Sequence, residues 1–433
     1  MDLGSSIRTI RILIFDLNDN IPYLIKPLIF LWKIFHKFKY NLGKKNYFSK
    51  KEIKFDLSPS RIYRVNPKDI IYYIDINTFK WKKSNKILKG NWDHQKKLIE
   101  QMAIFKLFKD KLILRKNYYQ IKEYKLFINK FSQGSQIWSL KDEKSWINKL
   151  YDIENIYRDI KNSVTVKNRE INILEAKLKE LNIPEKDRSI AISIGRKGEF
   201  ILMNGELIFS LARLLDIKEV SITIKIRHKK WINFKKELKY FSRSGTLYQQ
   251  TSHPDLQDYP FKYGAQRFNI IKENLTIKKG TLLDIGSNLG FFCRKFEELG
   301  FNCTAVEANW LNAYFMKKLR DAENKKFEII TESIFNYKKP IQLKYDVVLA
   351  LFIFHHFLKR KNVYNNLKKL LKRLKVKELY FGVHNPKEFR NRKVYKNYNL
   401  EEFVNFILEN SCLTQSKMLL KLDNERVIYK LTI

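Results

Sequence analysis

Acidic and glycine residues are regularly spaced in the segment 281–290 (TLLDIGSNLG). The apolar residues up to Asp284 predict a buried strand, and the amphipathic pattern from Phe291 predicts that a helix follows the turn. Gly286 and Gly290 allow a sharp turn between these elements and a close approach of the backbone to a ligand. The free amides of the helix start would face that ligand, and the Asp284 carboxylate suits an ammonium group.

A second acidic residue, Glu307, ends the next predicted strand, residues 301–306 (FNCTAV), and follows Asp284 by about twenty residues. An acidic residue at this distance is placed to accept hydrogen bonds from both hydroxyls of a ribose. A dinucleotide-binding loop reads G-x-G-x-x-G, whereas this loop reads D-x-G-x-x-x-G. The difference favours S-adenosylmethionine, which has no pyrophosphate.

Predicted strands and helices alternate through the rest of the C-terminal part, which favours a parallel sheet covered by helices. The sequence predicts a strand and the loop after it within 326–334, strands at 345–351 and 378–383, helices at 362–375 and 400–409, and a terminal hairpin of residues 417–421 and 426–431.

From about residue 280 to the end, the loop, the acidic residue, the strand order and the hairpin resemble a class I S-adenosylmethionine-dependent methyltransferase. The resemblance implies an α/β fold with a Rossmann-like seven-stranded sheet, and transfer of a methyl group from S-adenosylmethionine. It implies that Glu307 binds the ribose and that Glu332, Ser333 and Ile334 lie near the adenine. The remaining residues implied in cofactor binding belong to the loop: Asp284, Gly286, Ser287, Asn288 and Gly290.

The segment 352–357 follows the fourth predicted strand of this part and contains two histidines, and the acceptor is expected to enter there. His355 or His356 could act as a general base. His384, after the fifth strand, is a further candidate. Each could equally pack or cap a helix, since many methyl transfers need mainly proximity and alignment. The D-P-P-Y and N-P-P-Y tetrapeptides of amino-methylating enzymes are absent, and residues 384–387 (HNPK) match them only in part.

A different pattern precedes this part, at about residues 185–235. Two short strands, Asn204-Gly205, a helix and an alternating strand follow one another, an order that resembles the ParB-like nuclease fold. That family usually carries a basic pair after the glycine to hold a phosphate, but Leu207 and Ile208 stand here. The resemblance therefore implies an α+β module without that phosphate site.

The sequence divides into four predicted segments. They are a basic amphipathic segment (1–60), an α+β accessory region with the ParB-like module (61–243), a linker with a lead-in helix (244–279) and the methyltransferase domain (280–433). Within the accessory region, the composition after residues 91–94 predicts one long helix, and the charged stretch 153–181 predicts a helical segment.

Residues 24–38 combine an apolar helical stripe with lysines on another side. The stripe is too short and too charged to cross a bilayer. It predicts a helix that either packs on its own protein or lies on an anionic membrane surface. Its members are Leu28, Leu31, Trp32, Phe35 and Phe38.

The 433-residue chain has a formal net charge of +40, which attracts phosphate groups but is also what lysine-rich composition alone produces. Its three cysteines form no C-x-x-C pair, so we expect no metal site and a reducing, cytoplasmic location, with the membrane segment at the inner face as an option. A glycan, lipid-linked sugar or small metabolite is the favoured acceptor. The alternatives are a nucleic-acid-acting methyltransferase and a polyanion-binding protein without transfer, and the oligomeric state is left open.

Overall fold

The computed structural model describes residues 31, 34–45, 47, 55, 61–75, 87–163, 171–242, 245–337, 343–389, 394–422 and 425–433. Two large sheets organise this part of the chain, and a small two-stranded sheet lies between them in sequence. The strands of the small sheet are β8 (Leu247–Gln249) and β9 (Phe261–Tyr263).

The C-terminal sheet has the order β12-β11-β10-β13-β14-β16-β15. The first five strands of this order are parallel, and β16 runs antiparallel to β14. The predicted α/β sheet of seven strands is therefore confirmed in the described chain. Its strands are β10 (Thr281–Ile285), β11 (Asn302–Val306), β12 (Glu328–Ile330), β13 (Leu343–Ala350), β14 (Leu374–Val383), β15 (Gln415–Lys421) and β16 (Val427–Thr432).

The direction of strand succession reverses between the neighbouring strands β10 and β13, and ligands of open α/β sheets bind at such a reversal, beyond the carboxyl ends of the strands. We call the ends of β10, β11 and β13, with the loops that follow them, the site edge. Helices cover both faces of the sheet, which explains the nearly continuous apolar runs of its central strands. They are α8 (Gln266–Glu273), α9 (Phe291–Glu298), α10 (Trp310–Ala322), α11 (Lys361–Arg373) and α12 (Leu400–Asn410).

The N-terminal sheet has the order β1-β7-β5-β6-β2-β4, with β3 beside the end of β7. The strands β5 and β6 are antiparallel, and β7 lies parallel to β5. The strands are β1 (Ile62–Val65), β2 (Tyr72–Tyr73), β3 (Ile87–Leu88), β4 (Lys97–Leu98), β5 (Ile190–Ile194), β6 (Phe200–Asn204) and β7 (Val220–His228).

The helices of the N-terminal region are α1 (Ala103–Phe108), α2 (Lys122–Ser132), α3 (Glu143–Asn162), α4 (Ile171–Glu180), α5 (Glu185–Arg188), α6 (Glu206–Leu214) and α7 (Lys229–Phe241). The predicted succession of strand, turn, strand, helix and strand at 185–235 is present as β5, β6, α6 and β7. The likeness of this module to ParB-like nucleases stays a prediction.

The prediction of one long helix after residue 94 is wrong. Lys97 and Leu98 pair with β2, so the first helix begins only at Ala103. Arg115 has a φ of 56°, which a continuous helix does not accommodate, and a separate helix, α2, follows. The stretch 153–181 contains the second half of α3 and the whole of α4, while residues 164–170 lie outside the described chain.

The two sheets share a packed boundary made by α7 and α10. Phe234 on α7 contacts Phe315 on α10, with ring centroids 5.9 Å apart. Gly198, in the turn between β5 and β6, lies under Trp231 and Ala322, since a Cβ placed on it would be 2.6 Å from that of Ala322. The N-terminal region is therefore in direct contact with the covering helix of the C-terminal sheet.

Residues 34–45 are helical and touch the rest of the protein along one side. The Tyr40 ring contacts the rings of Tyr240 and Trp310, and Lys44 Nζ lies 2.8 Å from a carboxylate oxygen of Glu237. The apolar side chains elsewhere on this segment are exposed, namely Leu31, Ile34, Phe35, Phe38 and Leu42. Leu28 and Trp32 of the predicted stripe lie outside the described residues. None of the described helices is long and apolar enough to span a membrane.

Candidate functional site

Backbone groups and one hydroxyl hold the turn between β10 and α9. Gly286 and Gly290 have φ values of 78° and 74°, which glycine adopts without strain. The amides of Gly286 and Ser287 donate to the carbonyl of Val306 at 2.8 and 3.1 Å. The Ser287 hydroxyl donates to the carbonyl of Asp284 at 2.7 Å. Ser287 is fully buried, so its side chain shapes the turn instead of facing a ligand.

Asp284 lies near the carboxyl end of β10 and is 3% exposed. Its Oδ2 atom has no hydrogen-bond partner among the described residues. Burial, together with the negative charge of Glu307, raises the pKa of Asp284 to about 7. A buried carboxyl group without a full set of partners is unfavourable in the protein alone. An ammonium group would supply the missing donor, as the sequence predicted for this residue.

Glu307 follows β11 and joins the turn to the start of α10. Its Oε2 accepts from the amide of Asn288 and its Oε1 from the amide of Asn309, each at 2.8 Å. Burial raises the pKa of Glu307, although these two amides lower it. Each carboxylate oxygen keeps a second lone pair, so the side chain can still accept hydrogen bonds from ribose hydroxyls. The Oδ1 atom of Asn288 is also buried without a partner in the described structure.

The three residues predicted beside the adenine differ in exposure. Glu332 is exposed, while Ile334 is buried in the core beneath the sheet. Ser333 caps a 3₁₀ turn by accepting from the amide of Phe335 at 3.4 Å. The amide of Glu307 donates to the carbonyl of Ile330 at 3.0 Å and so connects this segment to the ribose position. The segment thus lies next to Glu307, and its members would contact a ligand to different extents.

The two neighbouring histidines predicted as catalytic both lie in the 3₁₀ turn Phe354–Lys359, but they differ in burial. His355 is buried with its ring 5.1 Å from that of His384, which is fully buried. His356 is exposed, and its Nδ1 lies 3.1 Å from Nζ of Lys359. Burial and the nearby positive charges lower the pKa of His355 to about 2. The neutral ring is therefore a weak base, and this pKa argues against general-base catalysis by His355.

Gln249, in the predicted linker, caps the helix of the site, although no motif marked it. Its Oε1 accepts from the amides of Leu289 and Phe291 at 3.2 and 3.3 Å. Arg294 on α9 donates to the carbonyls of Leu289 and Gln250. The linker is thus part of the scaffold of the loop, and no local sequence signal marked Gln249, because it lies almost forty residues before the Gly-rich turn.

Arg267, on α8, is the second residue that sequence reasoning missed. Its Cζ lies 3.6 Å from the ring centroid of Tyr263 and 4.6 Å from that of Phe352. Phe352 begins the loop after β13 and has a φ of 61°, which is uncommon for a bulky side chain. Strain of this kind concentrates at functional sites. The only sequence signal was an arginine in the first turn of the lead-in helix.

Residues 283–374 match the family model of a methyltransferase domain. The match covers the loop, both acidic residues, the adenine segment and the paired histidines, which is the part of the chain that forms the site edge. Residues 283–374 are therefore similar to a methyltransferase domain, and the sheet that contains them has a mixed α/β fold.

Solved structures that match part of this chain include methyltransferases of several kinds. The bifunctional kinase-methyltransferase WbdD has 16% identity and a TM-score of 0.37 over 45% of each chain, so the chain covers less than half of that protein. The N-methyltransferase NodS from Bradyrhizobium japonicum WM9 has 12% identity and a TM-score of 0.32, over 39% of this chain and 93% of NodS. The methyltransferase domain of bacterial CtHen1-CN has 14% identity and a TM-score of 0.31, over 39% of this chain and 98% of that domain. A search of curated protein sequences found no relative.

Proposed function

We propose that this protein is an S-adenosylmethionine-dependent methyltransferase whose N-terminal region positions the acceptor. The observation that carries the proposal is the buried Asp284 carboxyl, with one oxygen unpartnered in the described structure, beside a loop anchored by Glu307. A zwitterionic nucleoside suits this pair, because one acid would bind its ammonium group and the other its ribose.

The residues of the site edge bind and orient in this proposal. Bound there, S-adenosylmethionine would supply an activated methyl group for transfer to a nucleophile. The turn from Gly286 to Gly290 would let the backbone approach the methionine part closely. We assign catalysis mainly to alignment of the acceptor with that methyl group, because His355 is a weak base. A catalytic role for either His355 or His356 stays a prediction.

The acceptor we favour is a glycan, a lipid-linked sugar or another small metabolite, because residues 352–357 carry no amino-methylation tetrapeptide of nucleic-acid enzymes. A nucleic acid is the alternative that the net charge of +40 supports. Labelled methyl transfer to cell fractions would identify the acceptor class. Binding to DNA or RNA that weakens steeply with salt would favour the alternative.

The first experiment is calorimetric titration with S-adenosylmethionine and S-adenosylhomocysteine, using wild type and the variants Glu307→Gln and Glu307→Ala. We expect micromolar binding by wild type and a loss of about tenfold or more in the alanine variant, because it lacks both carboxylate oxygens. Glu307→Gln keeps one side-chain oxygen that can accept from a backbone amide. It therefore serves as a control for loss of binding through misfolding. Glu298→Ala, a change at the far end of α9, is the matched control and should bind as wild type does. Absence of binding by folded wild-type protein would refute the proposal.

Residues 24–38 remain our candidate for contact with the inner face of an anionic membrane, with the protein in the cytoplasm. The exposed Leu31, Phe35 and Phe38 support this proposal, because nothing in the described structure covers them. Cosedimentation with vesicles containing anionic lipid tests it. We expect Phe35→Ser with Phe38→Ser to abolish binding, and no binding by wild type would refute it.

A further inference from the structure

The guanidinium of Arg267 is buried, and no carboxylate is among the groups that shift its pKa most. The residue is 5% exposed, and its Nη2 atom has no hydrogen-bond partner in the described structure. Burial lowers the pKa of Arg267, and the groups that oppose this effect are the hydroxyls of Tyr248 and Tyr263. A buried cation is costly unless it is paired, so an anion beside the guanidinium would lower the cost of burying Arg267.

Contacts link Arg267 to the loop that carries Asp284. The guanidinium lies over the ring of Phe352, and the next residue, Ile353, packs against Gly286. The Cδ1 atom of Ile353 is 3.0 Å from the position that a Cβ on Gly286 would take. Arg267 is therefore one packed layer away from the turn after β10, at the site edge.

Further positive charge surrounds the same aromatic ring. The Cζ atom of Arg426, in the terminal hairpin, lies 5.2 Å from the ring centroid of Phe352. The charges of Arg426 and Lys359 both contribute to the lowered pKa of His355. The surroundings of Phe352 are thus cationic. An arginine presents a planar fork that suits a carboxylate or a phosphate.

We propose that Arg267 is an anion-binding residue of the site edge and takes a carboxylate or phosphate group of a bound ligand between Tyr263 and Phe352. The inference deepens the proposed function and rests on it. The anion has two chemical sources, the carboxylate of the methionine part of the cofactor and an acidic group on the acceptor.

Binding measurements with Arg267→Met separate these sources. The probes are S-adenosylmethionine, its decarboxylated analogue and inorganic phosphate, the last followed by thermal stabilisation. If the cofactor supplies the anion, the variant should bind S-adenosylmethionine about tenfold or more weakly than wild type does. Its affinity for the decarboxylated analogue should be unchanged. If the acceptor supplies it, both cofactors bind as before and the stabilisation of wild type by phosphate disappears in the variant.

Two further variants keep the test decisive. Arg267→Lys retains the charge and should restore a part of the lost affinity. Arg320→Met is the matched control, because Arg320 also lies over a phenylalanine ring but binds the carbonyl of Phe327 away from the site edge. Equal weakening of both cofactors, or no effect on any probe, would overturn the assignment of Arg267. Failure of wild type to bind either cofactor refutes the proposed function instead, and the phosphate measurement then decides the inference on Arg267.

Discussion

Two aspartates, each only 3% exposed, have opposite surroundings in the two regions of the molecule. Asp255, beside the N-terminal sheet, has an oxygen 2.8 Å from Arg227, and its other oxygen accepts from the indole of Trp231 at 2.8 Å and lies 3.0 Å from Lys235. Burial raises its pKa, but the charges of Lys235 and Arg227 hold that pKa below its usual value. Among the described residues Asp284 has no cationic partner, and its pKa is raised to about 7.

The arginines of the two regions differ in the same way. Arg227 is buried against the carboxylate of Asp255, although its Nη1 atom has no hydrogen-bond partner in the described structure. Arg267 also has an unpartnered atom, Nη2, but no carboxylate is among the groups that shift its pKa most. The negative charge of Asp255 is therefore compensated by Arg227 and Lys235, and this cluster stabilises the fold. The buried charges of the site edge leave a donor and an acceptor for a ligand. The comparison separates a structural ionic cluster from the proposed binding site.

Asp255→Ala should have the largest effect on stability. The change would leave Arg227 and Lys235 buried without their carboxylate, at a cost of about 3–5 kcal/mol in the free energy of unfolding. Urea unfolding followed by fluorescence measures this cost. Asp258→Ala, which removes an exposed partner of Arg61, should cost no more than about 1 kcal/mol. If both changes lowered the free energy of unfolding equally, the buried contacts of Asp255 would contribute no more to stability than an exposed ion pair does.

The two aspartates should also affect stability in opposite directions as pH changes. The pKa of Asp284 is about 7 when folded and near 3.8 when unfolded, so its contribution to stability is present below about pH 4 and lost as pH rises through 7. The full loss is on the order of 4 kcal/mol. Asp255 has a lowered pKa, so its contribution is lost as pH falls below about 4. Denaturant unfolding of wild type and Asp284→Asn between pH 4 and 8, without cofactor, should show a difference that changes with pH, and a constant difference would be inconsistent with an unpaired carboxyl.

Asp284→Asn should weaken the binding of S-adenosylmethionine by about tenfold or more, because the charge that attracts the ammonium group is lost. The free energy of unfolding at pH 8 should stay level or rise, since the change removes an uncompensated buried charge. Calorimetry and denaturant unfolding on one preparation measure both quantities. A large drop in stability together with unchanged binding would show that Asp284 is structural, as Asp255 is.

Gln249→Ala should have the smallest effect. It removes the acceptor for the amides of Leu289 and Phe291 and should cost about 1 kcal/mol, as the loss of a helix cap does. Thermal unfolding measures the change, with Gln257→Ala, an exposed residue of the same segment, as control. An equal effect of the two substitutions would remove the capping role from Gln249.

The sequence predicted those parts of the site whose residues are neighbours along the chain. The apolar run before Asp284 and the glycines after it were sufficient, because a buried parallel strand and a tight turn each leave a local pattern. Arg267 and Gln249 were missed because they reach the site edge only through tertiary packing. His355 and His356 were treated as a pair, but a 3₁₀ turn places one inside and the other outside. A short-range pattern does not show which neighbour is buried.

The boundary between the regions has a mechanical consequence. Helix α10 begins beside Glu307, whose carboxylate accepts from the amide of Asn309, and ends at Ala322 against Gly198 of the N-terminal sheet. Helix α10 is a rigid element about 20 Å long. A tilt of the N-terminal region relative to the C-terminal sheet would therefore displace Glu307, the acid predicted to hold the ribose. The region proposed to select the acceptor is thus mechanically coupled to the residue proposed to hold the methyl donor.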